Sequence, residues 1–283
     1  MRKINQLDLF SGIGGFHLGF EKAGYKVKSY FSEVDKHAIA VYKHKFKDSE
    51  YVGSVTDVRG TDLPSIDLIT FGSPCQDFSL AGKRKGMGGE RSSLILEAIR
   101  LIGECRPRVF IWENVKGTFS SNSGEDFAAI LQAFANIGGY RLEWQLLNTS
   151  WFLPQQRERV YLVGYSTKYR GDWRGVFPLG ENNGKINNRD GWKSQSSQTL
   201  TARYLATAQG SYVIERNEVQ KIRRLTPIEC ERLQGFPDNH TQYGIYDGEV
   251  KKMSNTQRYK QCGNAVTTDV VQAIAEKIKP LFK

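Results

Sequence analysis

The feature that most constrains this chain is an alternation, over its first 165 residues, of short β-branched or apolar runs with stretches of helical period. Ile4 to Phe10, Val27 to Glu33, Ile66 to Phe71, Val109 to Asn114 and Val160 to Gly164 read as strands. Gly14 to Ala23, Lys36 to Phe46, Ser92 to Glu104 and Glu125 to Ile137, lying between them, read as helices. Strand and helix in turn imply βαβ units and a mainly parallel, doubly wound α/β sheet. Sheets of this kind collect ligands outside the carboxyl ends of their strands, so the residues just past each strand are where chemistry is sought.

The pattern changes after about Ser166. Residues 180–198 are polar, rich in Gly, Asn and Ser, and without period, which reads as a surface loop. Thr226-Pro227-Ile228-Glu229 looks like a helix start, with Thr as N-cap and Pro at the first helical position. Thr267 to Leu281 reads as an amphipathic helix. Charge is uneven as well: the chain carries +10, and residues 166–260 hold 16 Lys/Arg against 10 Asp/Glu. A basic segment of this kind suits a polyanion partner, although a solvated basic surface accounts for it equally well. Cysteines at 75, 105, 230 and 262 form no Cys-x-x-Cys pair and the four histidines are scattered, so neither a disulfide framework nor a metal site is expected. No apolar run is long enough to span a membrane and the N-terminus lacks a signal-peptide core, so a cytoplasmic protein is expected.

Five motifs lie at the ends of candidate strands. Asp8-Leu9-Phe10-Ser11-Gly12-Ile13-Gly14-Gly15 puts glycines at a strand-to-helix turn, where a ligand can approach the backbone closely. Glu33-Val34-Asp35 ends the second strand, where an acidic residue can bind ribose hydroxyls; together the two motifs indicate a nucleoside-containing cofactor. Gly72-Ser73-Pro74-Cys75-Gln76 places a thiol on a loop past a strand, a setting for a thiolate nucleophile rather than an inert core cysteine. The stretch after it, Ala81 to Gly89, is rich in Gly and basic residues and suited to phosphate contact. Trp112-Glu113-Asn114-Val115 brings a carboxyl to the same crevice. Gln155-Gln156-Arg157-Glu158-Arg159 carries two arginines that share a face of an extended chain, unless they form a surface ladder with Glu158.

In this order, the motifs resemble the DNA (cytosine-5) methyltransferase family. Arg224-Leu225-Thr226-Pro227, Leu233-Gln234-Gly235-Phe236-Pro237 and Gly263-Asn264-Ala265-Val266 continue the likeness across nearly the whole chain. The resemblance implies a Rossmann-like catalytic domain (residues 1–165 and 259–283) and a small target-recognition domain (166–258). It implies S-adenosyl-L-methionine as methyl donor, held by Phe10, Gly12, Gly14, Gly15, Glu33, Val34, Pro74, Leu94 and Asn264. Two departures bear on adenine: Ser54 stands where many members have Asp, and Val34 where an aromatic residue often stacks. Asp57 or a backbone carbonyl is then expected to take over the adenine contact.

The chemistry implied is addition of the Cys75 thiolate to cytosine C6, with Glu113 protonating N3 and Arg159, assisted by Arg157, binding O2. The base must leave the duplex for this. Gln76, Ser79, Lys83, Arg84, Lys85, Thr199 and Arg203 are the expected DNA contacts, on double-stranded DNA bound by a monomer. An enzyme protecting prokaryotic or phage DNA from restriction fits the chain's brevity, with a cognate endonuclease left open. The alternatives are a tRNA-modifying relative and a catalytically dead DNA-binding protein.

Overall fold

The computed structural model describes residues 2–73, 94–169, 173–180, 197–203, 212–215 and 221–283. Its centre is a seven-stranded sheet in the order β3-β2-β1-β4-β5-β7-β6. The strands are β1 (Arg2–Leu9), β2 (Tyr25–Ser32), β3 (Glu50–Tyr51), β4 (Leu68–Phe71), β5 (Val109–Val115), β6 (Tyr140–Asn148) and β7 (Glu158–Ser166). β3, β2, β1, β4 and β5 run parallel, whereas β7 is antiparallel to both β5 and β6. The expected strands all appear, with ends shifted by a few residues. Phe10 falls outside β1 because its φ of 50° turns the chain there.

Both faces of the sheet are covered, as the apolar runs require. Alternate residues point to opposite sides. Val109, Ile111, Val163 and Tyr165 pack with Phe16 and Phe20 of helix α1 (Gly15–Lys22) and Ile274 of the helix Thr268–Lys277. Phe110, Trp112, Val160 and Leu162 pack instead with Leu101 of α3 (Leu94–Cys105) and Ile130 of α4 (Glu125–Ala135). Helix α2 (Lys36–Lys45) starts from Asp35, whose carboxylate accepts from the His37 and Ala38 amides.

The C-terminal third returns to the same body. Beyond the β8 (Tyr212–Glu215) and β9 (Lys221–Arg224) ribbon, helix α5 (Pro227–Leu233) opens with a reciprocal Thr226–Glu229 capping box, as expected from Thr-Pro. The hairpin β10 (Tyr243–Tyr246) and β11 (Glu249–Lys252) leads into α6 (Asn255–Asn264), then α7, the helix Thr268–Lys277. Phe236 and Met253 pack with Ile13 and Val41, and buried Arg258 pairs with buried Glu231 at 3.0 Å. Val176 and Leu179 likewise join the main core. No described helix is long and apolar enough to cross a membrane.

Candidate active site

The sheet changes direction of growth between β1 and β4, one heading to β2 and the other to β5. At the carboxyl ends of these strands lies a cavity of about 450 Å³, within the size range of small-ligand and cofactor sites. Its wall includes Phe10 and Gly12 after β1, Glu33 and Val34 after β2, Ser54 after β3, Gly72 and Ser73 after β4, and Glu113 on β5. Because β7 is antiparallel to β5, its start lies at this same edge and brings Arg157 and Arg159 to the wall. Leu94 and Asn264 complete the expected residues found there.

The Gly-rich turn is tied to β2 by one carboxylate. Glu33 Oε2 accepts from the Gly12 amide at 2.9 Å, and Oε1 accepts from the Val34 and Asp35 amides at 2.8 and 3.0 Å. Gly12 has φ +53° and nothing within 4 Å of where a Cβ would stand, so it is open toward a ligand. Gly14 and Gly15, expected to hold the cofactor, are absent from the wall. A Cβ on Gly14 would meet the Phe46 ring at 2.2 Å and one on Gly15 the Val266 side chain at 2.6 Å. They are required by helix packing, a demand that the motif alone does not separate from ligand binding. Val34 is 77% exposed at the rim. Ser54 lines the wall but Asp57 does not, so the alternative adenine contact expected of Asp57 is unsupported.

On the other side of the cavity, Glu113 and Arg159 meet. Register pairs Glu113 with Tyr161 and Val115 with Arg159, which makes Arg159 the same-face diagonal neighbour of Glu113. Arg159 Nε lies 3.3 Å from Glu113 Oε1, both side chains being mostly buried. Gly72 leaves space for this carboxylate: a Cβ there would stand 3.2 Å from Glu113 Oε2. Asn114 Nδ2 donates to the Ser73 carbonyl at 3.2 Å, and Trp112 Nε1 donates to Ser73 Oγ at 3.0 Å. The end of β5 thus anchors the backbone two residues before Cys75. Cys75 itself, Pro74, Gln76, Ser79, Lys83, Arg84 and Lys85 lie outside the described residues.

Arg157 has a different occupation from Arg159. It is 3% exposed, and its guanidinium donates to the carbonyls of Leu200, Gly263 and Ala265 at 3.1, 3.3 and 2.9 Å. Besides its place on the cavity wall, Arg157 is thus a structural clamp joining the start of β7, residue 200 and the end of α6. Thr199, an expected DNA contact, turns its hydroxyl to the Gln156 carbonyl, and the adjacent Leu200 is buried against Gln155. Arg203 is exposed.

Of the α6 residues on the wall, the sequence motifs include Gly263 and Asn264 but not Lys260 or Gln261. Lys260 Nζ donates to Asp35 Oδ2 at 2.7 Å. Burial opposes the Asp35 charge, but this bond and the two helix-cap amides hold its carboxyl below the usual range. Gln261 lines the cavity and is 5% exposed. Below the site, Asp8 is fully buried, accepting from Thr70 Oγ1 at 2.7 Å and Tyr42 OH at 3.2 Å; burial pushes its carboxyl up to about 8.

Comparison with known proteins agrees with this geometry. A family model described as C-5 cytosine-specific DNA methylase matches residues 4–200 and 179–280. The chain belongs to that family. It is 35% identical to the Type II methyltransferase M1.ScrFI of Lactococcus lactis subsp. cremoris, over 98% of this chain and 78% of that one. It is 32% identical to the Type II methyltransferase M.Bsp6I of Bacillus sp. (strain RFL6), over 95% and 96% of the two chains. The S. pombe Dnmt2 methyltransferase superposes with a TM-score of 0.72 at 19% identity, covering 98% of this chain and 99% of that one. The protein is therefore a DNA (cytosine-5) methyltransferase with the Rossmann-like methyltransferase fold, and S-adenosylmethionine is its methyl donor. The cavity suits that donor: an open glycine backbone, a carboxylate beside the turn and an exposed valine at the rim offer surfaces for a nucleoside.

Proposed function

We propose that this methylase modifies cytosine within one short sequence of double-stranded DNA, through a covalent bond from Cys75 to C6 of a flipped-out base. The observation that carries the reading is the Glu113–Arg159 pair, 3.3 Å apart on the wall that Gly72 and Ser73 share just before Cys75. Cytosine C5 is too weak a nucleophile to attack a methyl group unaided. Addition of the Cys75 thiolate to C6 makes C5 nucleophilic, while Glu113 delivers a proton to N3 and Arg159 binds O2. S-adenosylmethionine would be held by Phe10, Gly12, Glu33, Val34, Leu94 and Asn264 and would supply a sulfonium methyl group to C5, its sulfur leaving as the neutral thioether. Transfer of the C5 proton to a base such as water then expels Cys75, and N3 returns its proton to Glu113, which restores the ring. The three other cysteines support Cys75 by contrast: burial pushes the Cys105 and Cys230 thiols up to about 11 and 12, and that of Cys262 well above its ordinary value. Thiols so disfavoured as thiolates are poor nucleophiles.

Base flipping follows because C6 and C5 cannot be reached within a stacked duplex. Target recognition falls within residues 180–224, narrower than 166–258, since residues 173–179 and 225–258 contribute packing to the catalytic body, and Leu200 anchors the segment to it. Arg203 is its exposed basic contact. The Type II relatives favour a modification enzyme of a restriction-modification system; we read it as a monomer that acts on the same site as a cognate endonuclease without a stable complex. Bisulfite sequencing of DNA from a host expressing the protein tests this: conversion-resistant cytosines should share one short motif, and uniform conversion would overturn it.

A further inference from the structure

We propose that Gln261 binds the amino-acid end of S-adenosylmethionine, using both atoms of its carboxamide. The inference rests on reading the cavity as the cofactor site. Gln261 lines that cavity and is 5% exposed, yet among the described residues neither its Nε2 nor its Oε1 has a hydrogen-bond partner. Leaving two buried polar atoms unpaired is costly, and such atoms in a binding cavity mark a place for a ligand.

The ligand must offer an acceptor and a donor together, because an amide presents one of each. A carboxylate accepting from Nε2 beside an ammonium donating to Oε1 meets this demand, and the methionine part of the cofactor carries both. Position agrees with chemistry. The preceding residue, Lys260, is hydrogen-bonded to Asp35, next to the Glu33 and Val34 end of the cavity. Gly263 and Ala265, two and four residues further on, are held through their carbonyls by Arg157, which immediately precedes the strand that carries Arg159. Gln261 therefore stands between the nucleoside end and the base end, at the level of the sulfonium, from which the aminocarboxypropyl arm branches away from both.

The test compares two ligands that differ only at that end. S-adenosylhomocysteine keeps the amino-acid group, whereas 5′-deoxy-5′-methylthioadenosine has the nucleoside and sulfur without it. Gln261→Met removes both polar atoms at nearly constant length. By titration calorimetry it should weaken S-adenosylhomocysteine binding roughly 10-fold or more and change methylthioadenosine binding less than about 2-fold. Gln261→Leu is the second variant should the first fail to fold. Unchanged S-adenosylhomocysteine affinity, or equal losses for both ligands in a folded variant, would overturn the proposal. If the parent protein binds neither ligand, it is the cofactor reading of the cavity that fails.

Discussion

Glu113 and Arg159 occupy diagonal positions on one face of two antiparallel strands, with Oε1 and Nε 3.3 Å apart. The antiparallel reversal of β7 is what makes this meeting possible, since a parallel strand would carry its first residues to the far edge of the sheet. The pair joins a group that can hold a proton to a cation that can bind a carbonyl oxygen. Glu113→Gln keeps the shape and removes the acid. It should lower kcat by roughly 100-fold or more while leaving S-adenosylhomocysteine affinity unchanged, as read by single-turnover methylation and calorimetry.

Arg157 and Arg159 should separate cleanly when each is truncated. Arg157→Ala leaves the carbonyls of Leu200, Gly263 and Ala265 without their buried donor. It should cost about 3 kcal/mol in urea unfolding. Arg159→Ala leaves the mostly buried Glu113 carboxyl without its cation, which that carboxyl can answer by taking up a proton, so it should cost about 1–2 kcal/mol and still abolish most activity. Equal destabilisation by the two would remove the distinction drawn between clamp and base contact.

These two residues also show what the sequence can convey. Their spacing predicts a shared face, and they share one. It does not say that one guanidinium also clamps three main-chain carbonyls, because a carbonyl carries no residue signature. β6 was missing from the sequence reading for a related reason: only Leu147 of its nine residues is buried, so no apolar run marks it. α6 was missing because Arg258, Gln261 and Cys262 form most of its buried face, and a face built on an Arg258–Glu231 ion pair has no hydrophobic period. The parallel strands were legible because Leu7, Leu9, Leu68, Ile69, Phe110 and Ile111 are wholly enclosed and therefore apolar. Gly14 and Gly15 are legible as necessary, and helix packing is one demand that they meet.

Asp8 and His240 set opposing pH dependences of stability. Burial raises the Asp8 carboxyl from 3.8 to about 8, so its contribution is full below pH 3.8 and is lost as pH rises toward 8. Burial lowers His240 from 6.5 to about 4, so its contribution is present above pH 6.5 and lost as pH falls toward 4. Between pH 4 and 6.5 the two slopes oppose one another. From about pH 6.5 to 8 that of Asp8 remains, about 1.4 kcal/mol per pH unit. Urea unfolding should show this decline in the parent and a flat profile in Asp8→Asn; an equal decline in both would count against it.

The central claim is the bond between Cys75 and C6, and trapping it is the most direct test. DNA with 5-fluorocytosine at the target position carries a fluorine where the departing proton would be, so the methylated adduct cannot resolve. With S-adenosylmethionine present, the protein should form a complex that survives denaturing electrophoresis, and mass spectrometry of its peptides should locate the nucleotide on Cys75. Cys75→Ser should form no such complex and methylate nothing. A complex mapped to Cys105, Cys230 or Cys262, or methylation retained by Cys75→Ser, would contradict the account.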